Sequence, residues 1–280
     1  MYDILEREEL NPTVTRLVVH APRVSAKAEA GQFIILRTDE NGERIPLTIA
    51  DYDREKETVT IIFQVVGATT EKLNHMMVGD SLHDFVGPLG KATHTDGLKK
   101  VAVVGGGVGC AIAYPVAKKL HNLGAEVHAI VGFRNKDLVI LENEFKQASS
   151  KFVLMTDDGS AGEQGLVTDA LKKLIESGEK YDQVITIGPL VMMKFVSLLT
   201  KEYGISTVAS MNPVMIDGTG MCGGCRLSVG GKTVFACVDG PEFDAHQIDF
   251  DEAIERSGMY RGFERHAHDE ACNLFKKGVE

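Results

Sequence analysis

The sequence predicts an antiparallel β-barrel, then an α/β domain built on a doubly wound parallel sheet, then a small cysteine-bearing region. Three observations carry this prediction. Up to residue 98 the chain holds short segments rich in β-branched residues. After Lys99, buried strands and helices alternate. Residues 211–240 then break the alternation with glycines and clustered cysteines. We therefore divide the 280 residues into segments 1–98, 99–210, 211–240 and a tail, 241–280, as a possible docking segment for a partner.

The barrel prediction comes from strand-like segments at 13–20, 32–37 and 58–66, separated by turns. One helix is expected, at 69–77. The α/β domain is predicted from strands at 101–104, 126–131, 152–156, 183–187 and 206–209, and from helices at 110–123, 138–147, 166–176 and 191–203. This order places helices on both faces of a parallel sheet.

A glycine turn joins the first of these strands to its helix. Gly106, Gly107 and Val108 lie where backbone N–H groups and a helix N-terminus meet an anion, as in a dinucleotide-binding turn. Cys110 takes the place of the third glycine, and Arg134 follows the second strand where an acidic residue is usual. Arg134 is compatible with a 2′-phosphate, a diphosphate or no ligand, and a tight turn without ligand stays an alternative.

Two segments of the barrel carry groups suited to a flavin nucleotide. Arg44, Pro46, Leu47 and Thr48 offer a guanidinium, flat apolar backbone and a hydroxyl. Gly67, Thr69 and Thr70 follow a strand and open the predicted helix, whose N-terminus favours a diphosphate. Ordinary structural turns are the alternative explanation for both segments.

The most specific motif lies in the third region. Asp217, Cys222 and Cys225 have the x4 and x2 spacing of a plant-type two-iron cluster, with Asp217 at the usual first cysteine, and Cys237 follows. The surrounding glycines let backbone N–H groups approach cluster sulfides. A structural zinc site and an unmetallated loop are the alternatives.

The charge of the chain excludes some partners. Its formal net charge of −10 repels phosphate backbones and anionic membranes, so we expect neither nucleic acid nor membrane as a partner. The longest uncharged stretch, residues 101–117, is short for a bilayer and is interrupted by glycines and a proline. The acidic N-terminal residues do not read as a signal peptide, and we expect a cytoplasmic location.

Taken together, these motifs resemble the small subunits of electron-bifurcating NADH-dependent reduced ferredoxin:NADP oxidoreductases. The ferredoxin-NADP reductase superfamily and the electron-transfer subunits of dihydroorotate dehydrogenase are similar one step further out. The likeness covers nearly the whole chain and rests on the sequences RIPLTIAD, GPLG, GFRNKDLVILE and CVDG together with the glycine turn and the cysteine motif. The dihydroorotate relatives use four cysteines, so Asp217 marks the bifurcating subunit.

The resemblance implies FAD, a 2Fe-2S cluster and NAD(H) as substrate. It implies that Pro46, Leu47 and Thr48 lie along the isoalloxazine, with Arg44 near the FAD phosphates. It places Ile62, Phe63 and Gln64 beside the flavin, and Gly67, Thr69 and Thr70 at the diphosphate. Gly106, Gly107 and Val108 would hold the nicotinamide nucleotide, with Arg134 on its adenosine side. Hydride transfer needs orientation, so no catalytic acid or base is assigned.

The resemblance further implies a heterodimer. The partner would be a larger flavoprotein with FAD and 4Fe-4S clusters, through which electrons reach ferredoxin. The alternative is an electron-transfer subunit of dihydroorotate dehydrogenase. An alternative from another class is a zinc-stapled nucleotide-sensing module without redox activity.

Overall fold

The computed structural model describes residues 2–266 of the chain. Its first domain contains seven strands in one antiparallel sheet, with neighbours in the order β6-β1-β2-β5-β4-β3-β7. The strands are β1 (Tyr2–Asn11), β2 (Val14–His20), β3 (Phe33–Arg37), β4 (Ile45–Asp53), β5 (Thr58–Gln64), β6 (Ser81–Leu82) and β7 (Asp84–Leu89). Short helices α1 (Pro22–Ser25) and α2 (Ala68–Asn74) complete it.

The sheet curls into a nearly closed barrel. Its edge strands β6 and β7 are separated in the chain by His83 alone, so the two edges of the sheet meet. Alternate residues of the strands point inward, and Leu17, Ile34, Ile49 and Ile61 are all fully buried in one apolar core. The predicted barrel is confirmed.

The second domain is a seven-stranded sheet in the order β11-β10-β9-β8-β12-β13-β16. The strands are β8 (Lys100–Gly106), β9 (Glu126–Phe133), β10 (Lys151–Thr156), β11 (Glu163–Gln164), β12 (Gln183–Ile187), β13 (Thr207–Ser210) and β16 (Glu242–Asp244). All pairings are parallel except the antiparallel pairing of β13 with β16.

Helices cover both faces of this sheet, as predicted. They are α3 (Cys110–Asn122), α4 (Glu142–Gln147), α5 (Val167–Glu176) and α6 (Leu190–Glu202). Along β8, Val101 and Val103 join the core formed with α3, whereas Ala102 and Val104 join the core formed with α5 and α6. The order of the strands reverses between β8 and β12, which creates a crevice at their carboxyl ends.

The cysteine region lies between β13 and β16. A loop from residue 211 leads into the hairpin β14 (Arg226–Val229) and β15 (Lys232–Phe235), followed by the short helix α7 (Ala236–Asp239). Its apolar core is shared with the barrel through Phe33 and Ile35 and with α6 through Met193.

The described part of the predicted tail is folded. β16 pairs with the edge of the nucleotide sheet, and helix α8 (Phe250–Ser257) buries Phe250 in the core of the cysteine region. Residues 267–280 of the tail, with His268 and Cys272, lie outside the described residues. Among residues 2–266, no helix combines the length and the apolar character needed to cross a membrane.

Candidate functional site

A cleft of about 1270 Å³ lies between the barrel and the carboxyl ends of the parallel strands. Most of the residues predicted to bind a cofactor line it. They are Pro46, Leu47, Thr48, Ile62, Phe63, Gln64, Thr70, Gly106, Gly107, Val108 and Arg134. Residues from two domains and from strands far apart in the chain therefore face one continuous space.

The barrel wall is built by the four neighbouring strands β2, β5, β4 and β3. Thr48 on β4 lies opposite Phe33 on β3, and Gln64 on β5 lies opposite Val14 on β2. All four residues line the cleft. This wall is mostly apolar, which suits the face of a planar ring, while the Thr48 hydroxyl and the Gln64 amide supply polar groups.

The opposite wall is the glycine turn after β8. Gly107 adopts φ +55°, and an added Cβ there would meet no described atom within 4 Å, so the turn is open toward the cleft. At Gly109 an added Cβ would lie 2.6 Å from Gly188 Cα and 2.7 Å from the Ile187 carbonyl oxygen. The turns after β8 and β12 are therefore in direct backbone contact, which only glycine permits.

Three predicted residues lie outside the lining of the cleft. The Thr69 hydroxyl is buried and donates to Glu43 Oε2 at 2.8 Å. Gly67 begins α2, and its N–H donates to Thr70 Oγ1 at 3.0 Å. Arg44 reaches the cysteine loop instead, where its Nε donates to the Ile216 carbonyl at 2.7 Å.

Sequence reasoning missed several residues of the cleft. Ser210 ends β13 and Met211, Asn212 and Pro213 follow it, and the rule that strand ends line the crevice would have found them. Val191 and Phe195 on α6 also line the cleft and are more than half exposed. Their sequence is that of an ordinary buried apolar helix, so no motif distinguishes them.

The cysteine loop places its four predicted ligands in two pairs. The Asp217 carboxylate accepts from the N–H of Thr219 at 2.8 Å and from the N–H of Cys222 at 2.7 Å. The pKa of Asp217 lies below its usual range because of these hydrogen bonds, of which that from Thr219 has the largest effect. A further hydrogen bond from the Cys222 thiol lowers the pKa in the same direction. Asp217 and Cys222 are thus in contact and form one pair.

The second pair is buried. Cys225 Sγ and Cys237 Sγ lie 3.2 Å apart, and the Cys237 N–H points at the Cys225 sulfur at 3.4 Å. Burial, followed by the adjacent Cys225 thiol, raises the pKa of Cys237 to about 12. A cation is needed to hold two sulfurs here as thiolates, because each repels the charge of the other.

The donor set fits a two-iron cluster better than a single zinc ion. Tetrahedral zinc with Zn–S distances of about 2.3 Å brings all four ligands within roughly 4 Å of one another. Within residues 2–266, no three of the ligand atoms of Asp217, Cys222, Cys225 and Cys237 lie mutually within 4.8 Å. Two separated pairs are the arrangement that two irons, each with two protein ligands, require.

One other compact group of ligand atoms occurs in the described part of the chain, formed by Glu126, His128 and Glu179. It is an ion-pair network. Lys100 Nζ lies 2.8 Å from Glu126 and 2.5 Å from Glu179, and the ring of His128 bonds to Glu126 and to Tyr181. Its charges are compensated within the protein, far from the cleft.

Comparison with known proteins agrees with this geometry. The iron-sulfur cluster binding domain of dihydroorotate dehydrogenase B matches residues 212–249. An uncharacterised Clostridium beijerinckii protein is 52% identical, over 93% of this chain and 91% of its own length. A Thermotoga maritima homolog of the dihydroorotate dehydrogenase B electron transfer subunit is 44% identical, over 94% of this chain and 93% of its own.

Among solved structures, an NADH-dependent reduced ferredoxin-NADP oxidoreductase superposes with a TM-score of 0.91. The two chains are 42% identical, and the match covers 96% of this chain and 97% of the oxidoreductase chain. Fold and site define an electron-transfer oxidoreductase subunit of the flavin and iron-sulfur type, with the ferredoxin reductase fold. The chain belongs to the family of dihydroorotate dehydrogenase B electron-transfer subunits and their homologues.

Proposed function

We propose that this subunit exchanges a hydride between NAD(H) and FAD and passes electrons singly, through a 2Fe-2S cluster, to a larger flavoprotein in electron-bifurcating ferredoxin:NADP oxidoreduction. One observation carries the proposal. The predicted flavin wall, the glycine turn and the start of the cysteine loop, at Pro213 and Met215, all line the same cleft. A two-electron site and a one-electron exit are thereby adjacent.

In this proposal the protein contributes orientation. Pro46, Leu47 and Thr48 support one face of the flavin ring, while Ile62 to Gln64 lie at its side. Gly106, Gly107 and Val108 hold the nicotinamide nucleotide through backbone N–H groups, and the exposed Arg134 takes the adenosine side. Bound FAD supplies the conversion from hydride to single electrons, and the cluster supplies a one-electron carrier.

Hydride transfer needs no side-chain acid or base, so we assign none. The barrel wall of the cleft is formed mainly by apolar side chains and its opposite wall by glycine backbone, and in this proposal both walls exclude water from the reacting rings. We assign Asp217, Cys222, Cys225 and Cys237 as ligands of the cluster. The carboxylate ligand leaves this loop with one sulfur fewer than a four-cysteine site, which alters the potential of the centre.

A larger partner is required for bifurcation. Of the five cysteines, three are assigned to the cluster, leaving Cys110 and Cys272. Two cysteines are too few for an all-cysteine 4Fe-4S cluster, which takes four. The bifurcating flavin and the low-potential clusters that lead to ferredoxin therefore belong to another polypeptide in our proposal.

The second candidate function is electron transfer to a dihydroorotate dehydrogenase. It is favoured by the names of the relatives, among them a Streptococcus mutans electron transfer subunit that is 32% identical over 89% of this chain. The two candidates share FAD, cluster and NAD(H), and they differ in the partner.

The test is purification of the natural complex without added tags on the partner, followed by measurement of cofactors and coupled activity. We expect a yellow-brown protein that bleaches with NADH and contains iron, sulfide and FAD. The isolated chain should reduce artificial dyes with NADH without coupling NADPH oxidation to reduction of NAD and ferredoxin. Coupled activity of the isolated chain would refute the two-subunit proposal. A partner that oxidises dihydroorotate would favour the second candidate function. A colourless protein would refute both candidate functions.

A further inference from the structure

Arg44 joins the flavin wall of the barrel to the cysteine loop. It immediately precedes β4, which carries Pro46 to Thr48. Its Nε donates to the carbonyl of Ile216 at 2.7 Å, and its Nη2 lies 3.5 Å from the carbonyl of Asp217. The guanidinium thus holds backbone 172 residues further along the chain, at the first predicted ligand of the cluster.

The guanidinium is itself held by the barrel. Arg44 Nη1 lies 3.8 Å from Asp84 Oδ2 on β7, and Asp84 also accepts from Arg37 Nε on β3 at 2.5 Å. The hydrogen bond from Arg37 is the main reason that the pKa of Asp84 lies below its usual range. A charged Asp84 therefore anchors Arg44 from the side opposite to the loop.

The loop next to Arg44 lies directly against the barrel. At Gly218, which has φ +77°, an added Cβ would lie 2.7 Å from both Ile35 Cδ1 and Leu89 Cδ1. Backbone and apolar side chains are already in van der Waals contact there. The hydrogen bonds of Arg44 therefore add to an interface between loop and barrel that is already tightly packed.

We propose that Arg44 is a positioning residue that fixes the Asp217 end of the cluster loop to the flavin barrel, and that its positive charge stabilises the reduced cluster. This inference rests on the proposed function. Reduction adds an electron to a centre that already carries a carboxylate ligand, and the potential of such clusters depends on local charge and hydrogen bonds. Arg44 supplies a positive charge, and its guanidinium donates hydrogen bonds to the backbone carbonyls of Ile216 and Asp217.

The test compares R44Q and R44K with R37Q in the full chain. R37Q is the matched control because Arg37 belongs to the same ion-pair network and its guanidinium bonds Asp84 and the Glu40 carbonyl, away from the loop. Hydrogen exchange of the amides at 216–222 measures how firmly the loop is held. A redox titration followed by electron paramagnetic resonance measures the cluster potential.

For R44Q we expect loop exchange to be faster by about tenfold, since a charge-assisted hydrogen bond is lost. We expect the equilibrium for cluster reduction to fall by about three- to tenfold, where tenfold corresponds to about 59 mV for one electron. R44K should keep most of the potential and still exchange faster, because ammonium retains the charge without the forked geometry. R37Q, which acts on Arg44 only through Asp84, should change both measurements much less than R44Q does.

Wild-type exchange and potential in R44Q, or equal changes in R37Q, would overturn the inference. If R44Q does not fold, R44K decides the exchange measurement alone, and wild-type exchange in R44K then refutes the positional role. Failure of the proposed function is distinct, because it would appear as absence of iron and sulfide in the wild type.

Discussion

The contact between the turns after β8 and β12 predicts a specific sensitivity at Gly109. Gly109 has φ −57° and ψ −20°, which alanine adopts without strain. An added methyl group would nevertheless lie 2.6 Å from Gly188 Cα and 2.7 Å from the Ile187 carbonyl oxygen. Both neighbours are backbone atoms of the crevice, so relief requires one turn to move away from the other.

The magnitude follows from two opposing terms. Overpacking of a tight contact costs about 1–3 kcal/mol. Replacing glycine by alanine at a compatible conformation returns about 0.4–1 kcal/mol by restricting the unfolded chain. We therefore expect G109A to lower the free energy of unfolding by about 0.5–2 kcal/mol and to weaken NADH binding, because the displaced turn carries Gly106, Gly107 and Val108.

The assay is urea unfolding followed by circular dichroism, together with NADH titration of the flavin absorbance. G258A is the matched control. Gly258, with φ −92° and ψ −10°, follows α8, and a Cβ added there would lie 3.4 Å from its nearest neighbour, the Glu255 carbonyl oxygen. It should be stabilised by about 0.4–1 kcal/mol. Equal stability and NADH affinity in G109A and the wild type would refute the idea that this contact fixes the nucleotide turn.

Three further variants test separate parts of the site. C225S should lose iron and sulfide while retaining FAD, because the barrel lies outside the loop; iron and flavin analysis measures this. G67V should lower FAD occupancy after dialysis, because bulk at the diphosphate turn obstructs the ligand. Burial raises the pKa of Glu242, which accepts a hydrogen bond from Thr93 at 2.6 Å, to about 7. Folding therefore favours the protonated form, and the contribution of Glu242 to stability is lost as pH rises from about 4.5 to 7. E242Q should remove this loss, and its advantage in unfolding free energy should grow by about 2 kcal/mol between pH 5 and pH 8.

Each variant has its own check. The control for C225S is C110A, which should keep its full iron content because Cys110 is buried beside the glycine turn. Full iron content in C225S would contradict the ligand assignment. G67V should unfold like the wild type, because an added Cβ meets no described atom within 4 Å; unchanged FAD would remove this turn from the site. A constant stability difference between E242Q and the wild type across pH would show that Glu242 is charged throughout.

The nucleotide domain was predictable because its strands are buried on both faces. The strand predicted at 183–187 coincides with β12, and the helix predicted at 191–203 differs from α6 by one residue at each end. Such strands read as continuous apolar segments that leave little choice of structure. The ligand spacing from Asp217 to Cys225 is likewise local and was readable from the sequence.

Elements that depend on distant contacts were not predictable. β1 is highly charged and Ile4 is its one buried residue, so it shows no apolar alternation. β16 has three residues and exists through its pairing with β13. The contact of Arg44 with the Ile216 carbonyl was not predictable, because a contact across 172 residues leaves no local pattern, and the placement of Arg44 near the FAD phosphates stays a prediction.

The pairing of β13 with β16 has a consequence for how this architecture is assembled. Ser210 and Glu242 face each other on adjacent strands, so the chain leaves the nucleotide sheet and returns to it at a single rung. Residues 211–241 therefore form a segment whose two ends lie side by side in the sheet. Since loop-closure entropy changes slowly with length, the entropic cost of bringing β13 and β16 together depends little on how many residues lie between them. The cysteine region is thus joined to the nucleotide sheet at one pair of residues, while its own core packs on the barrel through Phe33 and Ile35 and on α6 through Met193.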